Sequence, residues 1–142
     1  MNNCGNLLGV TTQQVINAIK TVLETEKNYE RLRALAPSEG QVSIINRLIR
    51  DEREIFTALS KLYTSMTCNQ LVIPPITLPA FSTYIAGIKQ AIRQEIEENG
   101  VTVRLYSSTT VEDIYKVFLN MLAASYLHVA YLNYLLIINM CK

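Results

Sequence analysis

The sequence predicts an all-α protein of one domain, residues 1–142, built as two helical hairpins joined by a long crossover. Three observations predict it. Apolar residues recur at three- and four-residue spacing over four long stretches. Breakers are sparse, with 5 Gly and 4 Pro in 142 residues. The connections run short, long, short, which favours paired hairpins over an up-down-up-down bundle. No strand-type alternation competes with this pattern.

The first helix is expected over about 12–36, with Thr11 or Thr12 as N-cap and the turn Pro37-Ser38-Glu39-Gly40 as its end. The second, about 41–66, follows from Val42, Ile45, Leu48, Ile49, Ile55, Phe56, Leu59, Leu62, Tyr63 and Met66. Pro74, Pro75 and Pro79 exclude a helix interior from Thr67 to Pro79, a stretch long for a link between adjacent helices, so it reads as a crossover strapped over the bundle. The third helix, about 80–106, carries Tyr84, Ile88, Ala91, Ile92, Ile96 and Val103 on one side, weakened slightly by Gly100. Ser107 to Thr110 should end it and cap the fourth helix, about 111–138, whose Glu112 and Asp113 suit the N-terminal dipole.

Composition narrows the function classes. Hydrophobic residues make up 49% of the chain and charged residues 18%, so disorder and low complexity are excluded. A net charge of +1 advertises no nucleic acid and no anionic membrane surface. Cys4, Cys68 and Cys141 form no C-x-x-C pair, so reduced thiols and a cytoplasmic location are expected. The N-terminal stretch lacks the basic start and long apolar run of a secretion signal. From Val117 to Cys141 only His128 can carry charge, a run long enough to span a bilayer. Asn120, Ser125, His128, Asn133 and Asn139 within it weigh against a membrane span and favour a helix buried by its own bundle and by a second subunit.

The informative residues are polar ones where the helical period demands core. Glu52 falls in the series Ile45, Leu48, Glu52, Ile55, Leu59, Leu62. Glu95 falls on the side of Ile88, Ala91 or Ile92, Thr102 and Tyr106. His128, the single histidine, continues Val111, Ile114, Phe118, Met121, Ser125 towards Leu132 and Leu135. Three helices thus aim one metal-competent side chain each at the middle. Two buried carboxylates need protons, a cation or a charged histidine to offset desolvation and repulsion.

The stretches EKNYERLRALAPSEG, INRLIRDEREIFTALSKLYTSMT, QEIEENGVTVRLYSSTT and YLHVAYLNYLL resemble the rubrerythrin-type ferritin-like proteins of bacteria, including small spore-coat-type members. The resemblance covers nearly the whole chain and implies the ferritin-like form of the four-helix bundle. Members with intact sites hold two irons with a Glu on helix one, Glu-x-x-His on helix two, a Glu on helix three and a second Glu-x-x-His on helix four. Here Glu52, Glu95 and His128 keep their places, whereas Val22, Ile55 and Ser125 stand where a Glu, a His and a bridging Glu belong. Glu24 or Glu26 would compensate only if the helix-one register is shifted. The survivors are all ligands of one metal.

The resemblance therefore implies a degraded di-iron centre without two-iron ferroxidase or peroxidase chemistry, and the chain carries no rubredoxin-like electron donor. The expected protein is a non-catalytic structural or interaction protein, with spore-coat association suggested by its look-alikes. The alternative is a mononuclear metal-binding or redox protein using Glu52, Glu95 and His128. The expected cofactor is correspondingly none, or one divalent ion of Fe, Mn or Zn. Helix four should meet a second copy or a protein partner. Motifs for nucleotide binding or an acyl nucleophile are absent from the sequence.

Overall fold

The computed structural model describes residues 9–141. Among them are four helices and no strand: α1 (Thr12–Ala34), α2 (Glu39–Thr67), α3 (Tyr84–Ser108) and α4 (Glu112–Met140). Cys4, and most of the stretch read against a secretion signal, lie outside the described residues.

Local chemistry sets the helix ends. Thr11 caps α1 in a capping box with Gln14, each side chain bonding the other's backbone N–H. Ser38 and Thr83 cap α2 and α3 from extended backbone. The expected Ser/Thr cap of α4 is not used. Val111 is its N-cap without a side-chain bond, because Thr109 turns its hydroxyl to accept the Val111 N–H at 3.2 Å. Gly9 precedes α1 at φ 91, and a Cβ there would lie 1.8 Å from the Ser108 carbonyl oxygen. Only glycine combines that backbone angle with so close an approach to the α3–α4 turn.

The helices pack as two hairpins, α1 on α2 and α3 on α4, with α1 against α3 and α2 against α4 across the seam. Two apolar clusters fix their directions. One joins Val15, Ile19 and Val22 of α1 to Leu59, Leu62 and Met66 of α2, Leu105 of α3, and Ile114 and Phe118 of α4. The other joins Tyr29 and Leu32 to Ile45, Leu48 and Ile49, Ile88 and Ala91, and Leu132 and Leu135. The start of α1 therefore shares one end of the bundle with the ends of α2 and α3 and the start of α4. The order is up, down, down, up.

That order requires residues 68–83 to travel the length of the bundle. A helix of the 25 residues of α3 is about 38 Å long, and 16 extended residues reach about 55 Å, so the strap is long enough. It runs along α1: the Thr77 N–H donates to Glu24 at 3.2 Å and Arg31 donates to the Pro79 carbonyl at 2.7 Å. Leu71 packs against the first apolar cluster and Phe81 against the second.

Two further readings of the sequence need correction. Ile96 and Val103 face solvent at 58% and 40% exposure, because the inward stripe of α3 is Ile88, Ala91, Glu95, Thr102 and Leu105, about a quarter-turn away. Cys68, the left-handed C-cap of α2, is disulfide-bonded rather than a reduced thiol, while Cys141 is free and exposed.

The fourth helix is long and apolar enough to cross a membrane by length and composition. Its inward stripe is Ile114, Phe118, Ser125, His128, Leu132 and Leu135. Its outer side leaves Tyr126, Tyr134, Ile137 and Met140 more than half exposed.

Candidate metal centre

Between the two apolar clusters the core is interrupted by one polar layer. Glu52 lies on α2 after Ile45, Leu48 and Ile49; Glu95 lies on α3 after Ile88 and Ala91; His128 lies on α4 between Phe118 and Leu132. All three are buried, His128 completely. Each continues the helical stripe of its apolar neighbours, so the geometry that builds the core also drives these groups together.

One ligand atom from each of the three lies within 4.8 Å of those of the other two. His128 Nδ1 is 2.9 Å from Glu95 Oε1 and 3.3 Å from Glu52 Oε1. On the opposite side of the ring, Nε2 is 3.0 Å from Asp51 Oδ2. Tyr29 donates its phenol hydrogen to Glu95 Oε1 and meets the His128 ring edge-on at 5.9 Å between centroids. Ser125 donates to the Glu95 backbone carbonyl at 3.2 Å. The second oxygen of Glu52 is buried without a partner.

Both imidazole nitrogens thus face carboxylates. With the carboxylates ionised and no metal, each is an N–H donor, which makes the ring an imidazolium. Burial opposes that charge, but the hydrogen bonds to Glu52 and Glu95, with their charges, outweigh it and lift the His128 pKa to about 10. Burial raises the Glu52 carboxyl to about 7; the hydrogen bond from His128 pulls it down, and the nearby charge of Glu95 adds to the rise. Tyr29 is pushed well above its ordinary value by burial, then by the charges of Glu95 and Glu52. A second polar chain flanks the layer on the α1–α3 side: Asn28 donates to Gln94 and Gln94 to Thr25, each at 3.0 Å, and Thr25 donates to Glu98. Burial and the charges of Glu95 and Glu52 raise the Glu98 carboxyl well above the usual range.

Glu52, Glu95 and His128 could hold one metal ion. Donors bound at about 2.0–2.2 Å to one ion stand roughly 3–4 Å apart, so small side-chain adjustments bring this group into range. The unpartnered Glu52 oxygen is a further lone pair with no protein donor to meet it. An ion at Nδ1 would take the place of that nitrogen's proton, while Asp51 accepts the proton on Nε2 and fixes which nitrogen is offered. Two carboxylates and one imidazole balance a divalent charge and suit several first-row metals, so the donor set does not select one.

The other positions singled out in the sequence provide no ligands. Val22 belongs to the first apolar cluster and Ile55 packs against it. Ser125 binds the α3 backbone. Glu26 is engaged by Arg53 at 2.7 Å, and Glu24 accepts the Thr77 N–H, so neither joins the central group. Sequence reasoning missed Asp51 and Tyr29. Their signals were present: Asp51 adjoins Glu52, and Tyr29 continues the α1 stripe of Val15, Val22 and Thr25, where a buried phenol needs an acceptor. Compared with family models, with curated proteins and with solved structures, the chain has no match in any of the three.

Proposed function

We propose that this chain is a ferritin-like bundle protein that binds a single divalent transition-metal ion through Glu52, Glu95 and His128 and carries no two-metal redox chemistry. The observation that carries the reading is the convergence of three buried ligand atoms from three helices, with a carboxylate oxygen beside them left unpartnered. The up, down, down, up order with one long crossover supports the ferritin-like assignment. The apolar Val22 and Ile55, together with Ser125, support the absence of a second metal. A bound ion would supply positive charge to a buried acidic core and a Lewis-acid centre; Tyr29 and Asp51 would orient its ligands. Elemental analysis of protein purified without chelator, beside His128→Ala, tests this. About one ion per chain is expected in the parent and a clear loss in the variant; equal content in both removes the reading.

A second reading concerns assembly, and a specific observation favours it. Tyr126, Tyr134, Ile137 and Met140, each more than half exposed, leave an uncharged apolar face on α4. We propose that this face meets a second copy of the chain, which brings the same uncharged surface. Sedimentation over a range of concentrations is expected to show a dimer; a monomer throughout contradicts it.

A further inference from the structure

Tyr29 stands closer to the central layer than a residue that only orients ligands needs to. It is 1% exposed, and its phenol donates to Glu95 Oε1, the same oxygen that lies 2.9 Å from His128 Nδ1. Each helix thus sends a buried donor to this layer: Tyr29 from α1, Glu52 from α2, Glu95 from α3 and His128 from α4.

Four donors complete a tetrahedral shell around one ion, and three leave it open. Two oxygens of the layer could close it: the second oxygen of Glu52, buried without a partner, and the phenol of Tyr29. Charge decides between them. For a divalent ion the two carboxylates already balance the charge, and the phenol keeps its hydrogen. A trivalent ion would leave one positive charge uncompensated in a buried layer, which costs free energy. Asp51 lies beyond the far nitrogen of His128 with its side chain 26% exposed, so solvent screens it, and Glu98 is held by Thr25. A phenolate at Tyr29 adds the third negative charge and the fourth donor together.

We propose that this site takes a trivalent ion of the Fe(III) type with Tyr29 as its fourth ligand; the inference rests on the metal reading above. The phenol O–H bond breaks, a bond from that oxygen to the ion forms, and the proton leaves to the buffer. No electron moves. The ion then holds the Tyr29 and Glu95 oxygens together, as the shared hydrogen does without it.

Fe(III) supplied as its nitrilotriacetate complex to metal-free protein is expected to give a visible phenolate-to-iron charge-transfer band in the parent, and none in Tyr29→Phe or His128→Ala. A loss of Fe(III) affinity by about 10- to 100-fold in Tyr29→Phe is what a merely positioning phenol would also give. The band is the reading that decides. Parent protein with 3-fluorotyrosine at every tyrosine should keep the band and move it to shorter wavelength, which preserves the test if Tyr29→Phe fails to fold. Co(II), titrated in parallel, reports the three-ligand site and should bind the parent but not His128→Ala. A parent that does not bind Co(II) removes the metal reading itself. A parent that binds Co(II) but takes Fe(III) without the band, or not at all, overturns only the ligation by Tyr29, as does a band that survives in Tyr29→Phe or stays unmoved by fluorination.

Discussion

His128 is the only base among Asp51, Glu52, Glu95 and Tyr29, and its charge offsets the burial of its neighbours. Stability of the metal-free protein should follow from this. The Glu52 carboxyl is raised from 4.5 to about 7, so between those values the folded state keeps a proton the unfolded chain has released, and stability falls as pH rises. His128 is raised from 6.5 to about 10, so its contribution is complete below 6.5 and is lost as pH rises through 10. Both signs agree. With a chelator present, the unfolding free energy should decline steadily from about pH 5 to 10, by about 1.4 kcal/mol per pH unit for each proton concerned, and the thermal midpoint with it; a flat or rising profile contradicts the imidazolium. Glu52→Gln removes the buried acid, so at pH 8 with chelator it should be more stable than the parent by roughly 1–3 kcal/mol while losing any metal-dependent rise in midpoint. Asp51→Asn leaves all three ligands in place but weakens the hold on the Nε2 proton. It should lower metal affinity by about 10- to 100-fold in competition with a chromophoric chelator.

Within the elements, α3 offers a contrast between two glycines of the same helix. A Cβ at Gly87 would lie 2.7 Å from the Phe81 ring and 2.8 Å from a Leu32 methyl, at the point where the crossover is tucked onto the bundle. Gly100 has nothing within 4 Å of such an atom. Gly87→Ala should therefore destabilise by about 1–3 kcal/mol through overpacking, and Gly100→Ala should stabilise by about 0.5–1 kcal/mol through helix propensity. Urea unfolding of both variants checks the pair; equal signs would contradict the packing of Phe81. The capping box of α1 gives a third mark at this scale, since Thr11→Ala should cost about 1 kcal/mol.

Across the whole molecule, the two hairpins meet along the α1–α3 and α2–α4 seams, and the polar layer lies where they meet. Glu52 comes from one hairpin, Glu95 and His128 from the other, so an ion bound there ties the halves together. The outer face of α4 points away from that seam. Ile137, 61% exposed, can be charged without touching the core: Ile137→Glu should leave the unfolding free energy of dilute protein within about 0.5 kcal/mol of the parent and abolish concentration-dependent association in sedimentation. Association unchanged by this substitution would place the contact elsewhere.

Helix number, the short-long-short order of connections, and the inward setting of Glu52, Glu95 and His128 were legible in the sequence. Helical periodicity belongs to one segment at a time, and a residue in phase with its apolar neighbours must share their direction. The same rule misplaced Ile96 and Val103, because α3 carries apolar residues on more than one face and only its packing partners choose between them. The approach of Asp51 to the far nitrogen of His128, of Tyr29 to Glu95, and of Arg53 to Glu26 arose from register between helices. Gly87 packs against Phe81 and Leu32, and Gly9 against Ser108, contacts between segments distant in sequence. The sequence determined that Glu52, Glu95 and His128 turn inward. The tertiary structure alone decided which of them touch, because contact across helices depends on alignments that no single segment encodes.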